Sequence, residues 1–258
     1  MVTLTQRDHR SGGPPRLGVV GAAGRLGSRV VQECDRHGLA VVWTATRTSW
    51  PARQDGDAAP TVVVDASRGD VLPRTADYCR SVGAALLVCA SDIGPAQRRA
   101  AADLAAEVPV VLAANLSIVN WLQHQLVRTA AALSTRLPEA PDTSVLERHT
   151  TAKRDRPSAT ARSLAGAWQA AGAGLTHEIA SYRAGLPVSE HRFALGFAHE
   201  TLTITHDVRD LGPAALGALT AATWIHQGAP RLWTGTELFD EILLPDSSAG
   251  PRGSGSAR

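Results

Sequence analysis

Short β-branched and aliphatic runs recur through the first half of the chain, at residues 17–20, 41–46, 61–64, 85–89 and 108–113. Between them lie alanine- and arginine-rich stretches of helical period. Runs that are apolar at every position suit strands buried on both faces, so the alternation predicts βαβ units and a parallel sheet covered on both sides. After Asn115 the rhythm changes. The pattern there predicts a helix over 119–137, a polar loop over 146–161, a helix over 158–171, and strands near 177–182, 191–197 and 201–207. An alanine-rich helix from Pro213 to about 227 and the stretch LFDEILL close the ordered chain. This is an α/β protein with a Rossmann-type parallel sheet and a second, α+β domain. The expected division is 16–116 plus 211–245 for the first domain and 117–210 for the second. The polar, Gly- and Pro-containing ends, 1–15 and 246–258, are expected to be disordered.

Composition narrows this picture slightly. The 258 residues carry 26 basic and 24 acidic side chains, a net charge of +2, scattered along the chain. Charge therefore gives no reason to expect nucleic acid or a membrane surface as partner. No apolar run approaches the roughly 20 residues of a membrane span, and the amino terminus lacks the apolar core of a signal peptide, so a cytoplasmic location is expected. Cys34, Cys79 and Cys89 show no metal-type spacing and are read as reduced, buried thiols.

The first strand runs into GAAGRLG, where Gly21, Gly24 and Gly27 follow a GxxGxxG spacing close to the dinucleotide fingerprint. Gly21 serves the tight turn, Gly24 lets backbone approach a pyrophosphate, and Gly27 lets the helix pack closely on its strand. The second strand ends in Thr44, Ala45, Thr46 and Arg47, without a carboxylate for the adenine ribose. Arg47 suits a 2′-phosphate, so NADPH is favoured, with NADH possible. In the polar segment LERHTTAKRDRPSATA, His149 and Lys153 supply proton-transfer groups on what Pro157 marks as a loop.

Several motifs fall in the order found in 4-hydroxy-tetrahydrodipicolinate reductase, the dihydrodipicolinate reductase of lysine biosynthesis. GAAGRLG resembles that family's GxxGRMG, AANLS at 113–117 its AANFS, and ERHTTAKRDRPSATA its ExHHxxKxDxPSGTA. RAG at 183–185, EH at 190–191 and TH at 205–206 follow in register. The resemblance implies a Rossmann domain followed by a substrate domain with an open mixed sheet that builds a homotetramer. It implies His149 and Lys153 as the chemical residues, acting in protonation and substrate anchoring. It places the cofactor at Gly21, Ala22, Ala23, Gly24, Arg25, Leu26, Arg47, Cys89, Ala90, Ser91, Ala113, Ala114, Asn115 and Leu116. Substrate would meet Thr150, Ser158, Ala159 and Thr160.

The chain departs from that pattern where the family holds its dicarboxylate. Thr150 replaces the second histidine, Ala159 the glycine of the SGT loop, and Leu211 the arginine that follows the TH pair. A Cβ at 159 limits backbone approach, and Leu211 cannot pair with a carboxylate. The resulting expectation is an NADPH-dependent reductase of a C=N or conjugated C=C bond in a different, bulkier heterocycle of specialised metabolism. The alternatives are the lysine-pathway reductase itself, binding its dicarboxylate through Arg183, Arg209 or Thr160, and a cyclase, isomerase or nucleotide-binding protein that keeps the fold without net hydride transfer. No metal is expected, because His191, His199 and His206 lack carboxylate or cysteine partners at useful spacing and read as satisfied structural histidines. Of the six tryptophans, Trp121 follows AANLS and is the one placed to face a substrate cleft.

Overall fold

The computed structural model describes residues 13–50, 52, 55–185 and 189–244. The terminal segments expected to be disordered lie, apart from residues 13–15, outside the described residues.

Six parallel strands form the first sheet: β1 (Leu17–Val20), β2 (Val41–Ala45), β3 (Val62–Asp65), β4 (Ala85–Val88), β5 (Pro109–Leu112) and β10 (Arg231–Thr234). Their order is β10-β5-β4-β3-β1-β2. The period of two is what divides their side chains between two cores. Val62 and Val64 of β3 and Leu87 of β4 pack with α1 (Arg25–Arg36), α6 (Gly212–Ile225) and α7 (Gly235–Leu243). Val63, Leu86 and Val88 pack instead with α2 (Leu72–Val82) and α3 (Pro95–Leu104). Burial on both faces explains why these strands read as unbroken apolar runs. Strand β10 was not expected, because RLWT is short, starts with arginine and shows no β-branched run. It is added as an edge by parallel pairing with β5, where only Trp233 is buried.

The second sheet is mixed, in the order β7-β6-β8-β9. Strand β6 (Asp142–His149) pairs parallel with β7 (Glu178–Arg183) and antiparallel with β8 (Ser189–Gly196), which pairs antiparallel with β9 (Thr201–Val208). Helices α4 (Ile118–Ser134) and α5 (Ala159–Ala170) cover one face through Val127, Leu164 and Trp168 against Val145, Phe193 and Leu195. The polar segment is therefore not all loop. Its first four residues end a central strand whose buried positions are Thr143, Val145, Glu147 and His149. Three of those four are polar, which hides the alternation from a hydrophobic pattern. The other face, carrying Leu146, Ala180, Tyr182 and Ala194, has no helix over it among the described residues, and Tyr182 is exposed.

The thiols are free, with Cys34 and Cys79 buried, and burial pushes Cys34 up to about 11. No helix among the described residues is long and apolar enough to cross a membrane.

Candidate active site in the cleft between the sheets

The turn after β1 has the shape a nucleotide pyrophosphate needs. Gly21 has φ +77°, and a Cβ there would lie 2.9 Å from the Ala66 carbonyl oxygen. A Cβ on Gly27 would come within 2.1 Å of the Gly21 oxygen, so the first turn of α1 can lie against the loop only as glycine. Gly24 is the N-cap of α1 and supplies no side-chain cap, and no acidic residue sits in the first turn. The helix end thus presents free N–H groups and its positive dipole end to an anion. These features fit the pyrophosphate of a dinucleotide. Ala22 and Leu26 turn toward the core.

Gly21, Ala23 and Gly24 line a cleft of about 600 Å3 that extends past Arg47 to Trp50, Arg68 and Arg74. The Arg74 guanidinium lies 4.2 Å from the centre of the Trp50 ring. Arg47 therefore has company that a reading based on the end of β2 missed. Arg68 comes from the β3–α2 connection and Arg74 from the first turn of α2, and they reach the cleft only because β3 neighbours β1. Cys89, Ala90 and Ser91 follow β4, and Ala113 to Leu116 follow β5, at the same carboxyl edge of the sheet. That edge is where open α/β sheets bind ligands.

His149 ends β6, and its Nδ1 contacts the Glu147 carboxylate two residues earlier on the same face. Glu147 is fully buried. Its other oxygen accepts from Arg183 Nη2 at 2.7 Å and from the Ser158 backbone N–H at 3.3 Å. Burial pushes the Glu147 carboxyl up, but the Arg183 hydrogen bond and the neighbouring cationic charge outweigh it and leave it below the usual range. His149 is held below its ordinary value, chiefly by burial and also by Lys153 and Arg183, against the pull of Glu147. A neutral His149 then donates from Nδ1 to Glu147 and keeps Nε2 as a free acceptor. Lys153 sits in the turn beyond, 3.0 Å from Asp155 Oδ1.

Arg183 holds this arrangement together. Its side chain is 2 % exposed. It donates to the carbonyls of Lys153 (3.0 Å), Tyr182 (2.8 Å) and Asp155 as well as to Glu147. The expectation that Arg183 could bind a substrate carboxylate is thereby corrected, since four of its five N–H donors are bonded inside the protein.

The metal expectation also needs correction in one respect. Glu147, His149 and His191 bring ligand atoms within 4.8 Å of one another, because Glu147 and His191 face each other across β6 and β8. The carboxylate that sequence spacing did not reveal is therefore present. Arg183 already neutralises it, and a cation there would compete with that guanidinium. His191 and His206 are not fully satisfied either. One nitrogen of each meets a serine, Ser158 at 3.2 Å and Ser117 at 3.4 Å, while Nδ1 of each is buried without a partner. Burial pushes His191 down to about 3, and a neutral ring tolerates an unfilled acceptor better than a charged ring tolerates burial.

The four substrate-binding candidates separate. Ser158 is buried, caps α5 through Ala161 N–H, and lines neither of the clefts described next. Thr150 lines a cleft of about 410 Å3 with Arg25, Arg29, Arg209 and Leu211. Ala159 and Thr160 line a different cavity of about 220 Å3, reached from Asn115, whose Nδ2 donates to Thr160 Oγ1 at 3.2 Å. Trp121 lines the latter cavity, its Nε1 held by Asp240 at 2.7 Å.

Comparison with known proteins agrees with this arrangement. Residues 15–116 match the family described as dihydrodipicolinate reductase, N-terminus, and residues 119–239 the family described as dihydrodipicolinate reductase, C-terminus. A 4-hydroxy-tetrahydrodipicolinate reductase of Gluconobacter oxydans is 32% identical over 243 residues, covering 85% of this chain and 95% of the relative. One from Granulibacter bethesdensis is 30% identical over 250 residues, covering 85% and 94%. Among solved structures, a dipicolinate-bound dihydrodipicolinate reductase from Paenisporosarcina sp. TG-14 superposes with a TM-score of 0.67 at 16% identity, covering 87% of this chain and 99% of that one. With both halves matched and relatives of this identity spanning most of its length, the chain belongs to the dihydrodipicolinate reductase family.

Proposed function

We propose that this enzyme uses NADPH to reduce a C=N or conjugated C=C bond in a heterocycle other than the family's small dicarboxylate, in specialised metabolism of the cytoplasm. The observation that carries the reading is the wall around Ala159 and Thr160, to which no guanidinium or ammonium contributes. Leu211 and Thr150 line the other cleft, together with Arg25 and Arg29 of α1 and with Arg209. The bound nicotinamide supplies hydride. Lys153 gives the proton that the substrate nitrogen or carbon then needs, and neutral His149, oriented by Glu147, accepts a hydrogen bond from the substrate through Nε2. The 150–155 turn is kept in place for this by Arg183.

A second reading, the lysine-pathway reductase itself, is favoured by the names of the Gluconobacter and Granulibacter relatives. Following NADPH oxidation with freshly generated tetrahydrodipicolinate separates the two. Slow turnover, at kcat/KM well below 10⁴ M⁻¹s⁻¹, the low end of ordinary enzymes, supports the first reading. Fast turnover favours the second.

Arg47 is expected to pair with the 2′-phosphate. Such charge-assisted bonds contribute roughly 1.5–3 kcal/mol, so NADPH should bind about tenfold to a hundredfold more tightly than NADH. Titration of both nucleotides against the native protein and Arg47→Ala checks this. Equal affinities in the native protein would remove the argument.

We also propose that the uncovered face of the second sheet is buried in a homotetramer. Light scattering at micromolar concentration should give four times the monomer mass, and a stable monomer would contradict this use of the sheet.

A further inference from the structure

The cavity of about 220 Å3 beside Thr160, whose uncharged wall supports the proposed reading, also holds residues to which that reading gives no role. It lies outside the carboxyl ends of β5 and β10, between the start of α5 and the α4–α7 pair. Trp121 and Phe239 give it aromatic walls, and Asn115, Thr160 and Ser163 give it neutral polar groups. No carboxylate, guanidinium or ammonium is among its lining residues.

His124 is the unusual member. It is 7 % exposed and lines the cavity. Gln123 beside it donates to two backbone carbonyls, and Asn120 one turn earlier is bonded to Asn115, but His124 makes no hydrogen bond with any described residue. Its ring nitrogens are not among the fully buried atoms that lack a partner, so they open onto the cavity, where a ligand can take the place of water. Burial, with help from Arg128 and His206, pushes His124 down to about 4, so the ring is neutral at physiological pH and offers one donor and one acceptor.

Volume limits the occupant. A cavity of about 150 Å3 accommodates benzene, so this one takes a single substituted ring or a small bicycle and little more. A carboxylate would be desolvated there without a counter-charge among the lining residues, which is unfavourable.

We infer that this cavity is a substrate subsite for a neutral aromatic or heteroaromatic ring, with His124 as its hydrogen-bonding anchor and Trp121 and Phe239 as its walls. This rests on the reductase reading only for calling the occupant substrate. The ring enters past Thr160 from a core held at the α5 start. The preference is therefore for an uncharged ring over a second carboxylate.

Calorimetric titration of the full chain with quinoline-2-carboxylate and pyridine-2,6-dicarboxylate tests this, run with and without saturating NADPH. The bicyclic monocarboxylate should bind at least tenfold more tightly. His124→Phe, and Ser163→Leu at the exposed mouth of the cavity for the case in which the buried variant does not fold, should each abolish the difference while leaving NADPH affinity unchanged. Tighter binding of the dicarboxylate, or a preference that survives Ser163→Leu, would overturn the inference. So would loss of NADPH affinity in folded His124→Phe, which would give the cavity to the cofactor. The nucleotide-free arm reports on the cavity even if the protein proves not to transfer hydride.

Discussion

Lys153→Arg is expected to lower kcat by roughly 10²- to 10⁴-fold, the range of positioned acid catalysis, with NADPH affinity unchanged. The reason is chemical. Lys153 is the only lysine in the chain, and every other one of its 26 basic residues is arginine. An ammonium and a guanidinium serve equally well as solvated surface charges, but the guanidinium holds its proton far more tightly and is the poorer acid. The arginine variant keeps the charge beside Asp155, whose carboxyl burial pushes up but whose bond to Lys153 brings it net below the usual range. A residue that only anchored an anion would tolerate the exchange with a modest rise in KM. A residue that supplies the proton would lose kcat, and the KM-against-kcat split distinguishes the two. His149→Ala should also lower kcat, and less severely, because it removes an acceptor and not the acid. Full turnover by Lys153→Arg on the true substrate would exclude the assigned role.

The same composition shows how much of the site was legible. That Lys153 stands alone among arginines is visible in the sequence without any fold, and it singles out the candidate segment more sharply than the local pattern does. The first sheet was also legible, because strands buried on both faces are apolar at every position and GAAGRLG stands at the end of the first of them. Strand β6 was obscured for the opposite reason. Glu147 and His149 occupy core-facing positions, so the strand that carries the site looks polar. The pairing of Arg183 with Glu147 could not be found by spacing either. Arg183 lies 36 residues from Glu147 and meets it only because β7 pairs with β6 in parallel register. Arg68, Arg74 and His124 escaped for a similar reason: strand order and helix orientation, not sequence distance, bring them to a cleft.

Thermal or urea unfolding is expected to show a steep loss of stability in mild acid, from the buried histidines of the second sheet and α4. His124 and His191 fall from the ordinary 6.5 to about 4 and about 3, each chiefly through burial. The folded protein thus binds fewer protons than the unfolded chain at any pH between those values and 6.5. Their contribution is complete above about pH 6.5 and is lost as pH falls toward the folded values. Each unit crossed costs about 1.4 kcal/mol per group, so moving from pH 7.5 to 4.5 should remove about 5 kcal/mol from the two together. That is comparable to the whole stability of many domains, roughly 5–15 kcal/mol. His149 and His206 are displaced in the same direction, again mainly by burial, and steepen the loss. Glu147 adds its share only below the ordinary carboxylate value of 4.5, as its pairing with Arg183 is protonated away. His124→Asn, polar and uncharged at every pH, should flatten the profile by about half of the two-histidine loss, whatever it does to stability at pH 7.5. Equal unfolding free energies at pH 7.5 and 4.5 would mean that these imidazoles are solvated in the folded protein and that the buried cluster is not the closed structure described above.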